Sequence, residues 1–295
     1  MKFCFIYNKK SSGGNQFKFI SKIYKEIKKK YLIDLFETKN EQEASIILSN
    51  LKKNNYDRLI LAGGDGTVSF AINELIKNNY EFSESFSIGY VPVGTANILK
   101  FELNISKKVN SIVKTLISNN TKEVNLIKAN DKYFLLMAGI GWDAQVVESI
   151  TSPIKKIFGK AIFVFKGLEK FLFMKKDRFN VFVDGEKINS NWVLCCNSMY
   201  YAGNYQINKT NIFERKFITF IVKDLTRFRL IYLLYIMLRY KDLSRAKGVV
   251  CKISKNILIE SLSKDIPIQI DGDFFGQFNK INISRSDINI NFISV

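Results

Sequence analysis

Hydrophobic and polar positions follow two different rhythms along this chain. In the first part, short apolar runs at Phe3–Tyr7, Tyr31–Glu37, Arg58–Ala62 and Ser87–Val91 read as buried strands. The stretches between them have helical spacing. From Gln16 to Lys30, the residues Phe17, Ile20, Ile23, Tyr24 and Ile27 fall on one stripe, the pattern of an amphipathic helix. Further helices are predicted over Gln42–Asn54 and Ser69–Lys77. Strands alternating with helices predict a parallel, doubly wound sheet. Such sheets bind ligands beyond the carboxyl ends of their strands. The loops after Tyr7, Glu37 and Ala62 all lie at that edge.

From about Thr121 the helical rhythm gives way to short apolar runs: Tyr133–Ala138, Phe179–Val183, Trp192–Asn197, Phe217–Val222, Ile257–Ile259 and Ile266–Ile270. Asp184-Gly185 and Asp271-Gly272 are turn signals that separate or bound them. Two helical stretches interrupt the series, Asp143–Lys175 (broken near Pro153) and Arg227–Tyr240. The change of rhythm predicts a second domain of short strands. There is no internal repeat and no low-complexity linker.

Composition narrows the chemistry more than the fold. A chain of 295 residues has room for two domains of ordinary size. With 45 Lys+Arg against 27 Asp+Glu, the net charge is +18. That attracts nucleic acid, an anionic membrane face or a polyphosphate without choosing among them. Histidine is absent, which removes Ser-His-Asp and Cys-His catalysis and any histidine metal site. Four cysteines, Cys4, Cys195, Cys196 and Cys251, form no CxxC pair, and Cys4 and Cys195 lie in apolar runs, so buried reduced thiols are expected. The N-terminal run lacks signal-peptide architecture and no apolar run reaches transmembrane length, so a cytoplasmic protein is expected.

The densest chemical signal is Leu59-Ile60-Leu61-Ala62-Gly63-Gly64-Asp65-Gly66-Thr67-Val68-Ser69. Glycines at a strand-to-helix turn let backbone N–H groups approach a phosphate, and the helix N-terminus adds partial positive charge. Asp65 would repel a phosphate unless a cation such as Mg²⁺ lies between them. The alternative is a tight turn whose aspartate caps the helix. A second loop of the same kind, Pro92-Val93-Gly94-Thr95-Ala96-Asn97, follows the next strand. Two glycine-threonine loops and an aspartate favour a nucleoside triphosphate pocket. The polar loop Asn8-Lys9-Lys10-Ser11-Ser12-Gly13-Gly14 is a candidate second phosphate contact.

Together these loops resemble the catalytic domain of bacterial diacylglycerol kinase-type lipid kinases. Asn8 to Gly13 is similar to that family's Asn-Pro-x-Ser-Gly loop, with Lys9 in the proline position. Gly139-Ile140-Gly141-Trp142-Asp143-Ala144 resembles its Gly-x-Gly-aromatic-Asp-Ala segment, and Asp271-Gly272-Asp273 its late Asp-Gly-Glu. The matches run in family order over nearly the whole chain. The resemblance implies an N-terminal doubly wound α/β nucleotide domain over residues 1–122, rejoined by 282–295, and a C-terminal antiparallel β-sandwich domain over 123–281. It implies an ATP- and Mg²⁺-dependent kinase that phosphorylates the hydroxyl of diacylglycerol or a related lipid. Asn8, Thr38, Gly63, Gly64, Asp65, Gly66, Thr67, Val68, Ser69, Gly94, Thr95 and Asn97 match its nucleotide-side positions. Asp65 is the candidate Mg²⁺ holder, and Asp273 occupies the position of the general base.

Several positions depart from the family pattern. Asp273 stands where glutamate is usual, one methylene shorter, which leaves Asp65 or Asp271 as alternative bases. Ile98 replaces an acidic residue after Gly-Thr-x-Asn. The family's structural metal loop is here Asn211-Ile212-Phe213-Glu214-Arg215-Lys216, with Glu214 the candidate ligand beside an unfavourable Arg215. The apolar stretch Leu225–Tyr240, flanked by basic residues, is either an interfacial helix at an anionic membrane surface or a helix packed on the second domain. The basic run Lys155–Lys160 could join the same face. A peripheral membrane protein with a lipid substrate is expected, with no nucleic-acid partner; related kinases are often dimers, which makes a homodimer one expected assembly. The rival readings are an NAD kinase-like enzyme, which shares the Gly-Gly-Asp-Gly-Thr loop, and a relative that binds nucleotide or lipid without turnover.

Overall fold

The computed structural model describes residues 1–8, 14–150, 161–172 and 178–294. The chain divides into two compact units, Met1–Val124 with Ile288–Val295, and Asn125–Asp287.

The first unit contains β1 (Lys2–Asn8), α1 (Gly14–Lys28), β2 (Leu32–Thr38), α2 (Glu41–Ser49), β3 (Arg58–Gly63), α3 (Asp65–Lys77), β4 (Ser87–Pro92), α4 (Ile98–Glu102) and α5 (Val109–Leu116). Its strands lie in the order β2-β1-β3-β4, all parallel, and Phe292 near the chain end pairs in parallel with Ile88. This is the alternating α/β order that the periodicity predicts. Central strands buried on both faces need a continuous apolar run, and every residue of β3 is buried. Arg58 joins that run because its guanidinium donates to the Leu116 carbonyl at 2.6 Å and to Asn119 Oδ1 at 3.1 Å. The register aligns Asn8 with Thr38, Tyr7 with Ala62 and Gly63 with Pro92. The four strands therefore deliver their following loops to one edge.

Two helix boundaries differ from the sequence expectation. Helix α3 begins at Asp65 rather than Ser69, with Gly64 as its extended N-cap. Helix α2 ends at Ser49 rather than Asn54. Asn50 and Asn54 turn their side-chain amides onto the Ile46 and Asn50 carbonyls, and Asn55 takes a left-handed conformation. Asparagine competes with the helix for backbone partners in this way.

The second unit is antiparallel. After β5 (Thr121–Ala129), which crosses the boundary, come β6 (Lys132–Phe134), β7 (Met137–Gly141), α6 (Trp142–Glu148), α7 (Ala161–Leu172), β8 (Phe179–Val183), β9 (Glu186–Ser190) and β10 (Trp192–Cys196). A small ribbon, β11 (Tyr200–Tyr201) with β12 (Tyr205–Gln206), precedes β13 (Phe217–Val222) and α8 (Arg227–Tyr240). Then follow β14 (Val249–Ser254), β15 (Asn256–Ser261), β16 (Ile266–Ile270), β17 (Asp273–Phe278) and β18 (Lys280–Ile293). One sheet has the order β14-β13-β10-β7-β16-β17; the other runs β18-β15-β8-β9, with β5 on β18 and β6 on β5. Ile140, Val193 and Ile268 from the first sheet share a core with Val181, Ile259 and Ile281 from the second, so the two sheets pack as the layers of a sandwich.

The apolar run expected as one strand over Tyr133–Ala138 is two strands, broken at Leu135 and Leu136. Their amides leave the ladder for the carboxylate of Asp271. Asp184-Gly185 is a two-residue hairpin turn with both φ positive, at 50° and 78°. The expected helix over Asp143–Lys175 is described as α6 and α7; the break near Pro153 and the run Lys155–Lys160 lie outside the described residues. Cys4, Cys195 and Cys196 are buried free thiols and Cys251 is exposed. Among the described residues, no helix is long and apolar enough to cross a membrane.

Candidate active site

In the first unit the two glycine loops are locked to each other. Strand β3 ends at Gly63, and Gly64 turns the chain into α3 with no side chain capping the helix N-terminus. The Gly63 carbonyl accepts from Val93 N at 3.0 Å and Gly94 N at 3.1 Å. A Cβ on Gly94 would lie 2.3 Å from the Gly64 Cα, so only glycine permits this approach. Asn97, left-handed at φ 52°, braces the second loop. Its Oδ1 accepts from Gly94 N and the Tyr90 hydroxyl, both at 3.0 Å, and its Nδ2 donates to the Gly94 carbonyl at 2.7 Å.

Asp65 completes the lock. Its Oδ2 accepts from Ile98 N at 2.8 Å and its Oδ1 from Leu99 N at 3.0 Å. These are the first amides of α4, which have no partner within the helix. The aspartate thus caps a helix, though the one that follows the second loop rather than its own. The side chain is buried and both oxygens receive hydrogen bonds.

Several of the other nucleotide-side candidates have buried side chains. Thr38 is buried, and its hydroxyl donates to the Tyr7 carbonyl at 3.2 Å. The side chains of Val68 and Ser69 are buried in the first turn of α3. Thr95 is exposed at the loop tip, and Gly66 and Thr67 are partly exposed at the α3 start. Asn8 closes β1 beside Thr38; residues 9–13 lie outside the described residues.

In the second unit, Asp271-Gly272 is the turn between β16 and β17, with φ of 51° and 85°. Asp271 Oδ1 accepts from Leu136 N at 2.8 Å and Met137 N at 3.1 Å, and Oδ2 from Leu135 N at 3.1 Å. That hydrogen bonding makes Asp271 an anchor for the β6–β7 break. A second chain of contacts fixes the same turn from below. Gly272 N donates to Gln269 Oε1 at 2.9 Å, and Gln269 Nε2 donates to Asp143 Oδ2 at 3.1 Å. Trp192 Nε1 and Ala144 N both donate to Asp143 Oδ1, at 3.1 and 2.9 Å. A Cβ on Gly139 would lie 1.8 Å from Asp143 Oδ2, so the glycine makes room for the carboxylate. Burial raises the Asp143 pKa to about 6, against the opposing pull of its hydrogen bonds from Gln269 and Trp192. Asp273, the first residue of β17, is exposed.

The candidate metal ligand Glu214 is otherwise engaged. Its Oε2 pairs with Lys216 Nζ at 2.7 Å and its Oε1 accepts from Asn211 Nδ2 at 3.1 Å. A lysine supplies the positive charge that a metal would bring. Among the described residues, no group of three or more Asp, Glu, His or Cys side chains gathers to hold an ion.

Residues 2–129 match the family described as diacylglycerol kinase catalytic domain. Over these residues the chain is similar to a diacylglycerol kinase catalytic domain, and it is a kinase that phosphorylates a lipid. It is 26% identical to a diacylglycerol kinase of Staphylococcus aureus over 288 residues, 95% of this chain and 89% of that one. In fold it is similar to the crystal structure of a diacylglycerol kinase from Bacillus anthracis, with a TM-score of 0.78 and 20% identity over 100% of this chain and 97% of that one. A yeast NADH kinase complexed with NADH is a more distant likeness, at TM-score 0.51 and 12% identity over 100% and 84% of the two chains.

The first unit thus has Gly63, Gly64 and Gly94 in one tight cluster with Asp65 and Asn97. The residues missed in the sequence are those that hold others in place: Tyr90, Trp192 and Gln269. Gln269 left one trace, a lone amide in the apolar strand Ile266-Pro267-Ile268-Gln269-Ile270.

Two stability outcomes follow. Between pH of about 4 and 6, folded Asp143 retains a proton that the unfolded chain releases, since its folded pKa is raised. Its contribution to stability therefore falls as pH rises through that window, by on the order of 3 kcal/mol. Urea denaturation at pH 4.5 and 7 should show this fall in the native protein minus Asp143→Asn, and an identical pH response in both would refute it. Gln269→Met, which leaves Gly272 N and Asp143 without that partner, should cost on the order of 2–4 kcal/mol in the same assay.

Proposed function

We propose that this kinase transfers the γ-phosphoryl group of ATP to the hydroxyl of diacylglycerol or a related lipid at the cytoplasmic, anionic face of a membrane. The observation that carries the nucleotide half is the uncapped N-terminus of α3, beside Gly64 and Gly94 packed backbone to backbone. Phosphate oxygens fit such a site, where amides and the helix dipole favour negative charge without a bulky side chain in the way. The partly exposed Thr67 and the exposed Thr95 can add hydroxyl donors.

The donor set for Mg²⁺ is sparse: Asp65 is the one carboxylate among the glycine loops, and its oxygens already accept amides. An ion held largely by phosphates and water fits that set, since Mg²⁺ is commonly bound through few carboxylates. When bound, it supplies neutralisation of charge on the phosphates. The chain's own part is to orient the phosphates through the amides of the glycine loops and to offer a base to the acceptor.

Asp273 is that base. It is exposed at the first position of β17 and stands where the resembling family carries its general base. The turn that carries it is held by Asp271 above and by Gln269 and Asp143 below. A carboxylate so fixed can take the proton of a lipid hydroxyl as that oxygen attacks phosphorus. A shorter side chain than glutamate makes the backbone position of this turn matter more, because a misplacement of about 1 Å can cost a hundredfold in rate.

The reading is tested by incubating the purified protein with ATP, Mg²⁺ and a panel of lipid alcohols, with NAD alongside, followed by mass spectrometry of the products. Phosphorylated lipid is expected. Phosphorylated NAD alone, or no transfer at all, would overturn the proposal. Asp273→Asn should lower kcat by roughly a hundredfold or more while leaving the Kd for ATP unchanged. An unaltered kcat would remove Asp273 from the base position.

A further inference from the structure

Helix α8 is apolar on two opposite sides. Leu230, Leu233, Ile236 and Met237 are buried against β10 and β13 residues such as Trp192, Leu194 and Phe220. On the other side Phe228 is 88% exposed and Ile231, Leu234, Tyr235 and Leu238 are 47–64% exposed. Positions 228, 231, 235 and 238 recur at helical spacing, so they form one continuous stripe. Scattered apolar side chains on a surface need no explanation, but a continuous patch does.

The patch extends onto α7. Phe165, Leu168 and Leu172 are exposed at the same helical spacing. Arg227, the first residue of α8, donates through Nε to the Phe171 carbonyl at 3.1 Å and through its guanidinium to the Leu172 carbonyl. The start of one apolar stripe is thereby fixed to the end of the other.

The charges around the patch select its partner. Helix α8 contains three arginines and no acidic residue, and Lys241, Arg245 and Lys247 follow it, exposed. Glu169 on α7 is neutralised by Lys166 at 2.6 Å. Tyr235 and Tyr240, ring against ring at the C-terminal end, have the amphipathic character of residues at a membrane interface. The helix is too short to span a bilayer, so it would lie flat in the headgroup region with its apolar side chains inserted. We propose that the outward faces of α7 and α8 dock the protein on an anionic phospholipid membrane. This deepens the lipid-kinase reading, on which the choice of a lipid surface rests.

The experiment is flotation of the full chain with vesicles of phosphatidylglycerol or of phosphatidylcholine, without nucleotide, at low and high salt. Binding to phosphatidylglycerol is expected, weaker at high salt and much weaker on phosphatidylcholine. The variant Phe228→Ser/Ile231→Ser/Leu238→Ser should lose at least about tenfold in vesicle affinity with its thermal melt unchanged, since the altered side chains are exposed. Arg239→Glu/Lys241→Glu should lower affinity for phosphatidylglycerol by about tenfold or more. Equal vesicle binding by native and triple-variant protein would overturn the proposal. So would loss of a dimer in the triple variant with vesicle binding intact, which would make this face a contact between copies. Vesicle binding needs no turnover, so docking through this face with no lipid phosphorylated would refute the kinase reading alone. Phosphorylation of a short-chain soluble lipid without vesicle docking would refute the docking face alone.

Discussion

Carboxylates bonded to peptide amides hold both halves of this protein at the points where regular structure stops. Asp65 takes the first two amides of α4, and Asp271 takes three amides at the break between β6 and β7. Each amide would otherwise be left without an intramolecular partner, and such a group costs about 1–3 kcal/mol when buried. A carboxylate is the best available acceptor for several of them at once, because charge-assisted bonds are roughly twice as strong as neutral ones. The first of these clasps adds to the bonds from Val93 N and Gly94 N to the Gly63 carbonyl that bring Gly64 and Gly94 together. Asp65 thereby ties the first residue of α3 to the first turn of α4.

The same clasps divide the acidic residues by task. Asp65 and Asp271 each accept two or three backbone amides, and Asp273 differs from them in its exposure at the first position of β17. Beneath it the network is graded in polarity. Asp143 is fully enclosed and receives an indole, a side-chain amide and a backbone amide, yet burial still holds its pKa up at about 6. Its hold on Gln269 sets which way that amide faces, and so presents Oε1 to Gly272 N. Positioning of the exposed carboxylate thus descends through one glutamine to a buried acid and a tryptophan.

Much of this was legible in the sequence, and the reason for each gap is physical. Periodicity is a local property, and it located the parallel strands, the loops at their carboxyl edge, both Asp-Gly turns and the span of α8. Hydrogen bonds between distant segments leave no periodic trace. Asp65 meets partners 33 and 34 residues away, and Asp271 reaches back 134 to 136 residues. Read as motifs, both aspartates belong to glycine-rich signatures and suggest reactive chemistry; only the fold reveals that each accepts backbone amides from a distant segment. The split of Tyr133–Ala138 has the same origin, because an apolar run cannot announce that a remote carboxylate will take its amides. The inward turn of Thr38 has a simpler origin: side chains along a strand alternate between opposite faces, and its hydroxyl faces Tyr7.

Helix α8 sharpens this limit. An amphipathic helix states in its sequence which side goes inward, because the polar side stays in water. Arg227–Tyr240 has apolar residues all round, with arginines confined to the ends. Its sequence therefore fits burial against a core and insertion into an interface equally well. Packing on β10 and β13 accounts for only one side, and Phe228, Ile231 and Leu238 remain on the other with water as their neighbour. A helix that only had to cover the sandwich would gain nothing from a second apolar stripe and would lose solubility by it. The stripe is therefore better explained by a partner than by the fold, and the cations at its ends restrict that partner to one bearing negative charge.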